Sequence, residues 1–350
     1  MSKEFFETVE EARRYFGPKL TVMGHHYQEE AVIRHTDLRG DSLELARRTA
    51  SVESPYIIFC GVYFMAESTA LLARPGQEVH LPEPSAECSM ALMSSPERLE
   101  QVLEDLNGFG RKVIPLVYIN STLAVKALVG RHHGATCTSA NAEKMLAWAL
   151  KEGDAALFLP DKNLGANVAD RLGLPEEDRF LLNLKDKPEN LPAAAAQAKL
   201  LLWPGFCSIH TRFHIRQVER VRAEHPGIKV IAHPECPPVV AKAADAVGST
   251  SFIIRYVEEL PAGASVAIGT EINLVERLAA QHRGRVEVLP LVESACTHMA
   301  QTTEERLAAS LKALIHRDQS GEPSSFEVRI ADAWREPAKA ALERMFEVCR

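Results

Sequence analysis

The sequence predicts an α/β protein made of three similar parallel-sheet units. Three observations carry this: β-rich runs alternate with helical stretches, polar markers recur at matched intervals, and each interval closes on a cysteine followed by Ser or Thr. The runs KLTVMG, PYIIFCG, KVIPLVYI, ALFLP, KVIAH and SVAIG are short and rich in β-branched and aromatic residues, as strands are. SLELARRTA, NAEKMLAWALKEG and INLVERLAAQH carry apolar residues at helical spacing. Strands that alternate with helices in this way form parallel sheets joined by crossover helices.

The first unit is marked by His25 in GHHYQ, Ser42 in GDS, Gly61 in IIFCG and Cys88 in ECSMA, at steps of 17, 19 and 27 residues. The third is marked by His233 in AHPEC, Ser249 in GSTSF, Gly269 in AIGTE and Cys296 in ACTHM, at steps of 16, 20 and 27. Both spans total 63 residues. The middle unit runs from Tyr118 through Ser139 and Pro160 to Cys207, at steps of 21, 21 and 47, so its last step carries an insertion around Gly173 to Leu191. Self-similarity at a fixed period marks repeated structural units. The repeats are placed at residues 1–100, 101–215 and 216–350, the last with C-terminal helices. Linkers are expected near 98–112 and 208–228.

Composition narrows the function. The 350 residues are 46% hydrophobic and 25% charged with a formal net charge of −7, which is globular and mildly acidic. No Lys/Arg block offsets that acidity, so no nucleic-acid partner is expected. The longest apolar run, Tyr56 to Ala66, falls well short of the ~20 residues that span a bilayer. The charged N-terminus does not read as a signal peptide, and a cytoplasmic protein with no membrane partner is expected. Seven cysteines, an odd number without an export signal, point to metal or catalytic thiols rather than a disulfide framework.

Ligands of parallel α/β sheets bind beyond the carboxyl ends of the strands, where all these markers fall. Facing a common axis, the units would bring Cys88, Cys207 and Cys296 together. Three thiolates suit zinc with a fourth ligand, or a [4Fe–4S] cluster that leaves one iron without a protein ligand. Such an iron acts as a Lewis acid. Cys60, Cys137, Cys236 and Cys349 lie outside the repeated position. Ser42, Ser139 and Ser249-Thr250 precede helical runs, where hydroxyls cap helices and anions bind. His25, His26, Tyr27, His233 and Glu235 are the acid–base candidates. Tyr118 and Asn120 offer groups that orient a substrate. His132-His133 reads as an exposed turn and PEED at 175–178 as a solvated loop. Neither GxGxxG nor GxxxxGK[ST] occurs, so nucleotide binding has no support.

The runs GHHYQ, GDS, FCGVYFMAE, CSMA, VYINST, TCTSAN, FLPDKNLG, GFCSIH, HPEC, GST, IGTE and ACTHM, in this order over about residues 15–315, resemble the quinolinate synthase family. The resemblance implies three α/β domains with pseudo-threefold symmetry and an active site at their central junction. It implies a [4Fe–4S] cluster on Cys88, Cys207 and Cys296. It also implies condensation of iminoaspartate with dihydroxyacetone phosphate to quinolinate, a step of NAD biosynthesis, with functional coupling to L-aspartate oxidase. His25, Ser42, Tyr118, Asn120, Ser139, His233, Glu235, Ser249 and Thr250 match substrate-binding positions. Tyr27 and Glu235, with His25 and His233, match the catalytic ones. The CxxC that some members carry before the last ligand is absent, since Glu293-Ser294-Ala295 precede Cys296. Two other readings fit three thiolates: an aconitase-like hydro-lyase and an iron- or oxygen-sensing cluster protein.

Overall fold

A computed structural model describes residues 3–185 and 193–350. It contains three parallel sheets. The first is formed by β1 (Leu20–His25), β2 (Leu38–Gly40), β3 (Tyr56–Cys60) and β4 (Glu78–His80), in the order β2-β1-β3-β4. Helices α1 (Lys3–Phe16), α2 (Glu30–Ile33), α3 (Ser42–Thr49) and α4 (Tyr63–Leu72) precede or join its strands. In the second sheet α5 (Pro96–Asn107), β5 (Val113–Tyr118), α6 (Leu123–Arg131), β6 (Ala135–Cys137), α7 (Ala142–Glu152), β7 (Ala155–Leu159) and α8 (Lys162–Arg171) follow one another. Then come β8 (Arg179–Leu181), α9 (Ala193–Gln197) and β9 (Leu200–Leu202), giving the order β6-β5-β7-β9-β8. The third sheet comprises α10 (Ile215–Glu224), β10 (Lys229–Ala232), α11 (Pro238–Ala243), β11 (Ala246–Val247), α12 (Thr250–Glu259), β12 (Ser265–Gly269), α13 (Ile272–Gln281) and β13 (Glu287–Pro290), in the order β11-β10-β12-β13. Two helices close the chain, α14 (Glu304–Ser320) and α15 (Asp332–Val348).

The first and third sheets therefore share one strand order, second-first-third-fourth. The middle sheet keeps it and adds β8 at the edge, beside β9. β8 lies in the expected insertion, whose residues 186–191 fall outside the described ones. Register is also shared. Gly24 pairs with Cys60, Val117 with Leu159 and Ala232 with Gly269. First and third strands thus run side by side to nearly the same level, which gathers their carboxyl ends.

The chain divides into two compact units. One comprises Met1–Cys88, Glu271–Arg283 and Glu293–Ile330; the other Ser89–Thr270, Gly284–Val292 and Ala331–Arg350. In the first unit α1 and α14 bury Val9, Ala12, Phe16, Leu307, Leu311 and Leu314 against Val22 and Ile58 of the first sheet. In the second unit, Leu99, Val102, Leu103 and Leu106 of α5 enter the core with Val113, Val117, Leu157 and Leu201. Val218 and Val221 of α10 do the same against Val230 and Ala267. The expected linkers are thus amphipathic helices bound to the sheets that follow them, each ending in a glycine at positive φ, Gly110 or Gly227, where an L side chain would be strained. α15 returns to the second sheet. Ala341 joins that core, and a Cβ on Gly130 of α6 would meet the Pro337 carbonyl oxygen at 1.8 Å. Among the described residues no helix is long and apolar enough to cross a membrane.

Candidate active site

The polar markers fall at strand carboxyl ends or just beyond them. His25 ends β1, Tyr118 ends β5 and His233 follows β10. His25 and His233 open the same turn. Gln28 N donates to the His25 carbonyl at 3.0 Å, and Tyr27 N donates to His25 Nδ1 at 3.1 Å. Cys236 N donates to the His233 carbonyl at 3.0 Å, and Glu235 N donates to His233 Nδ1 at 3.4 Å. In both turns an imidazole is locked by the amide two residues on, so the repeat extends to side-chain geometry. Tyr27 packs edge-on against the His25 ring at 4.7 Å.

In the second unit the structure assembles a buried cluster around Glu235. The Tyr118 hydroxyl donates to Glu235 Oε1 at 2.5 Å. His210 Nδ1 lies 2.7 Å from Glu235 Oε2, and its Nε2 lies 3.1 Å from Thr270 Oγ1. An ionised carboxylate only accepts hydrogen bonds, so Nδ1 of His210 carries a proton. The His233 ring stacks on His210 at 4.4 Å. Burial pushes the Glu235 carboxyl up, but His210, His233 and the Tyr118 hydroxyl outweigh it and hold it below the usual carboxylate range. Burial, with His210 adding to it, lowers His233 to about 3, so His233 is neutral at pH 7.

Asp161, just past β7, is fully buried and caps α8, and burial with the nearby Glu235 charge raises its carboxyl well above the usual range. Its counterpart Glu271, just past β12, caps α13 and is raised by burial to about 7 despite amide bonds from Cys296, Asn273 and Leu274. Asn120 sits on the loop after β5, and its Oδ1 is a buried acceptor without a hydrogen-bond partner among the described residues. Lys126 beneath that loop is fully buried and donates to the Ser121 carbonyl at 2.5 Å.

The hydroxyl residues divide. Ser249 is the N-cap of α12 and accepts from Phe252 N, with Thr250 buried as the first helical residue. Ser42 is not a cap: Asp41 takes that place and accepts from Leu43 N and Glu44 N, leaving Ser42 as the first residue of α3. Nor is Ser139, because Asn141 precedes α7 and its Oδ1 accepts from Thr138 N instead. At α3 the Asp41 carboxylate takes the first helix amides, and at α7 no side chain caps them.

The cysteines sort by burial. Cys60, Cys137 and Cys236 are buried, and desolvation pushes all three thiols up. Cys88, Cys207 and Cys296 are partly exposed on the loops that follow the last paired strand of each repeat, β4, β9 and β13. Cys349, also partly exposed, ends α15 beside Met145. Ligand atoms of Cys207, His210 and Glu235 lie within 4.8 Å of one another. Thiolates bind metal, and partial exposure favours them where burial does not. The donor set thus fits a metal group.

Sequence reasoning missed His210, Thr270, Asp161 and Glu271. His210 stood in the quoted GFCSIH run without a role. Asp161 and Glu271 share a signal that went unread, a carboxylate two residues past the third strand of a repeat. The expected exposed turn at His132-His133 holds for His133 alone, since His132 is half-buried with its Nε2 3.0 Å from Glu100 Oε1. Residues 175–178 form a single turn, with Pro175 to Glu177 exposed and Asp178 paired with Lys199.

A chain of repeated parallel sheets, with buried imidazole, phenol and carboxylate groups at strand ends and residues able to hold a metal beside them, has the make-up of an α/β enzyme. It belongs to the NadA family, described as quinolinate synthetase A protein, which matches residues 7–347. A quinolinate synthase of Corynebacterium glutamicum is 41% identical over 351 residues, covering 99% of this chain and 88% of that protein. Quinolinate synthases of Bacillus pumilus and Acidobacterium capsulatum are 40% identical over 345 and 349 residues, each covering 98% of this chain and 92% of the relative.

Proposed function

We propose that this chain condenses iminoaspartate with dihydroxyacetone phosphate to quinolinate, releasing phosphate and water, and so supplies the pyridine ring for NAD. Coupling to L-aspartate oxidase, which would supply the imine, belongs to the same reading. The observation that carries it is the sorting of the cysteines in a chain related over nearly its whole length to quinolinate synthases. The three thiols at the repeated position are accessible, and three of the others are buried and protonated. Cys88, Cys207 and Cys296 would hold a [4Fe–4S] cluster. When bound, such a cluster supplies one iron without a protein ligand, a Lewis acid for substrate oxygen.

The protein groups divide the remaining work. Ser249 and Thr250 at the start of α12, with Ser42 and Ser139, face substrates that carry two carboxylates and a phosphate. Asn120 Oδ1, buried without a partner among the described residues, is free to accept from a substrate hydroxyl or imine N–H. Neutral His233 orients a polar group without adding charge, and His25 occupies the equivalent place in the first repeat. Tyr118, whose hydroxyl donates to ionised Glu235, is held in place to orient the substrate. Tyr27 and Glu235 are the groups that carry protons to and from it.

Anaerobic purification tests the reading. It requires a brown protein with about four irons and four sulfides per chain. Cys88→Ser, Cys207→Ser and Cys296→Ser should each abolish the cluster. The loaded chain should form quinolinate from the two substrates. A colourless chain with one zinc, or a loaded chain without product, would overturn it.

A further inference from the structure

Helices α8 and α13 follow the third strand of the second and third sheets, and they are built alike. Each opens on a fully buried carboxylate that does more than cap. Asp161 Oδ1 accepts from Leu164 N at 2.8 Å, while Oδ2 accepts from Cys207 N at 3.1 Å. Glu271 Oε2 accepts from Asn273 N at 2.8 Å, while Oε1 accepts from Cys296 N at 3.3 Å. In both cases one oxygen serves the helix and the other holds the backbone amide of a cysteine at the repeated position.

Six residues past each cap, at Asn167 (161 to 167) and Arg277 (271 to 277), the helix grips a histidine turn. Asn167 Nδ2 donates to the carbonyls of Pro234 and Cys236 at 2.7 and 2.8 Å. Arg277 donates to the carbonyls of His26 and Gln28 at 2.8 and 2.6 Å, and Asn273 Nδ2 adds Tyr27 at 3.1 Å. The turns gripped are the two that carry His233–Glu235 and His25–Tyr27. The corresponding helix of the first repeat, α4, starts after Val62, which makes no side-chain cap bond.

We propose that Asp161 and Glu271 are positioning residues for the thiolates of Cys207 and Cys296, and that Asn167 and Arg277 are positioning residues for the acid–base turns. Each helix thereby fixes one cysteine loop and one histidine turn as a single rigid piece. This rests on the reading of Cys207 and Cys296 as cluster ligands. A thiolate points where its backbone points, and groups that orient metal ligands set how firmly the metal is kept. Capping alone does not account for the pattern, because Ser, Thr or Asn cap with one oxygen.

Asp161→Asn separates the two tasks. Asparagine is a good cap, but its one oxygen serves Leu164 N, and its amide then faces the Cys207 N–H as donor against donor. On the full-length chain purified anaerobically, amide exchange at Cys207 should quicken about tenfold, with Cys296 unchanged and the helical circular dichroism retained. Glu271→Gln should do the reverse. Iron release from Asp161→Asn to a chelator should quicken about 10-fold or more. Asn167→Ala should leave iron content unchanged and loosen the amides of 233–236, raising KM for the substrates more than it raises iron loss. Unchanged exchange at Cys207 in Asp161→Asn, or an iron release rate equal to wild type, would overturn the proposal. Asp161→Ser, another cap too short to span both donors, replaces Asn if that variant fails to fold. The exchange measurement needs no iron. If Cys207→Ser keeps its cluster, the ligand reading falls while exchange still decides whether Asp161 holds the loop.

Discussion

Replacing Glu235 by Gln removes one charge and almost no volume. In the native site both carboxylate oxygens are used, Oε1 by Tyr118 at 2.5 Å and Oε2 by His210 at 2.7 Å. Glutamine can satisfy His210 with its amide oxygen, and its NH2 can donate to the Tyr118 oxygen. The Tyr118 proton then has no acceptor. Two charge-assisted bonds become neutral ones, each roughly half as strong, so about 1–3 kcal/mol of stability is lost. That is a shift of a few degrees in melting temperature for a chain of this size. Turnover should fall far more, by about 10²- to 10⁴-fold, as for removal of a positioned acid–base group. The assay is quinolinate formation from iminoaspartate and dihydroxyacetone phosphate under anaerobic conditions, with iron counted on the same sample. Four irons per chain with turnover within threefold of wild type would refute the role given to Glu235.

Three further outcomes follow from the same structure. His233 is buried neutral with its pKa lowered to about 3 from 6.5, so its contribution is complete above about pH 6.5 and is lost as pH falls towards 3; the loss is at most about 5 kcal/mol. Denaturant midpoints measured across that window should fall in wild type and flatten in His233→Gln; parallel curves would contradict this. Gly130→Ala places a Cβ against the Pro337 carbonyl oxygen at 1.8 Å, so α15 must shift, at a cost of about 1–3 kcal/mol or more; an unchanged melting temperature would show that α15 does not rest on α6. Cys60→Ala, in the core beside Val22 and Ile58, should keep the full iron complement and lose about 1 kcal/mol of packing; loss of iron would make Cys60 a ligand.

Much of this design is legible in the chain because strand ends announce themselves chemically. A β-rich run that stops at His25, Tyr118 or His233 marks both a sheet and a site, since polar groups gather where parallel strands finish. The equal spans closing on Cys88 and Cys296 reflect equal strand orders. What stayed hidden depends on depth and direction. His210 is three residues past Cys207, and nothing in the spacing says that its ring turns inward between Glu235 and Thr270. Asp41 and Ser42 are neighbours in one turn, and only the backbone path decides which of them caps α3. Asp161 reads as an ordinary helix cap until its second oxygen is seen to meet Cys207. The last helix carries no motif, and its place follows from the absence of a side chain at Gly130.

That place has a consequence for how the molecule is made. The second sheet is complete in sequence by Leu202, yet α6 and its core wait for residues of α15. Synthesis proceeds from the N-terminus, and contacts between distant residues form slowly. The middle repeat is therefore the last to be finished, and a chain that stops short of residue 331 has every strand of all three sheets while α6 of the second still lacks the helix that covers it.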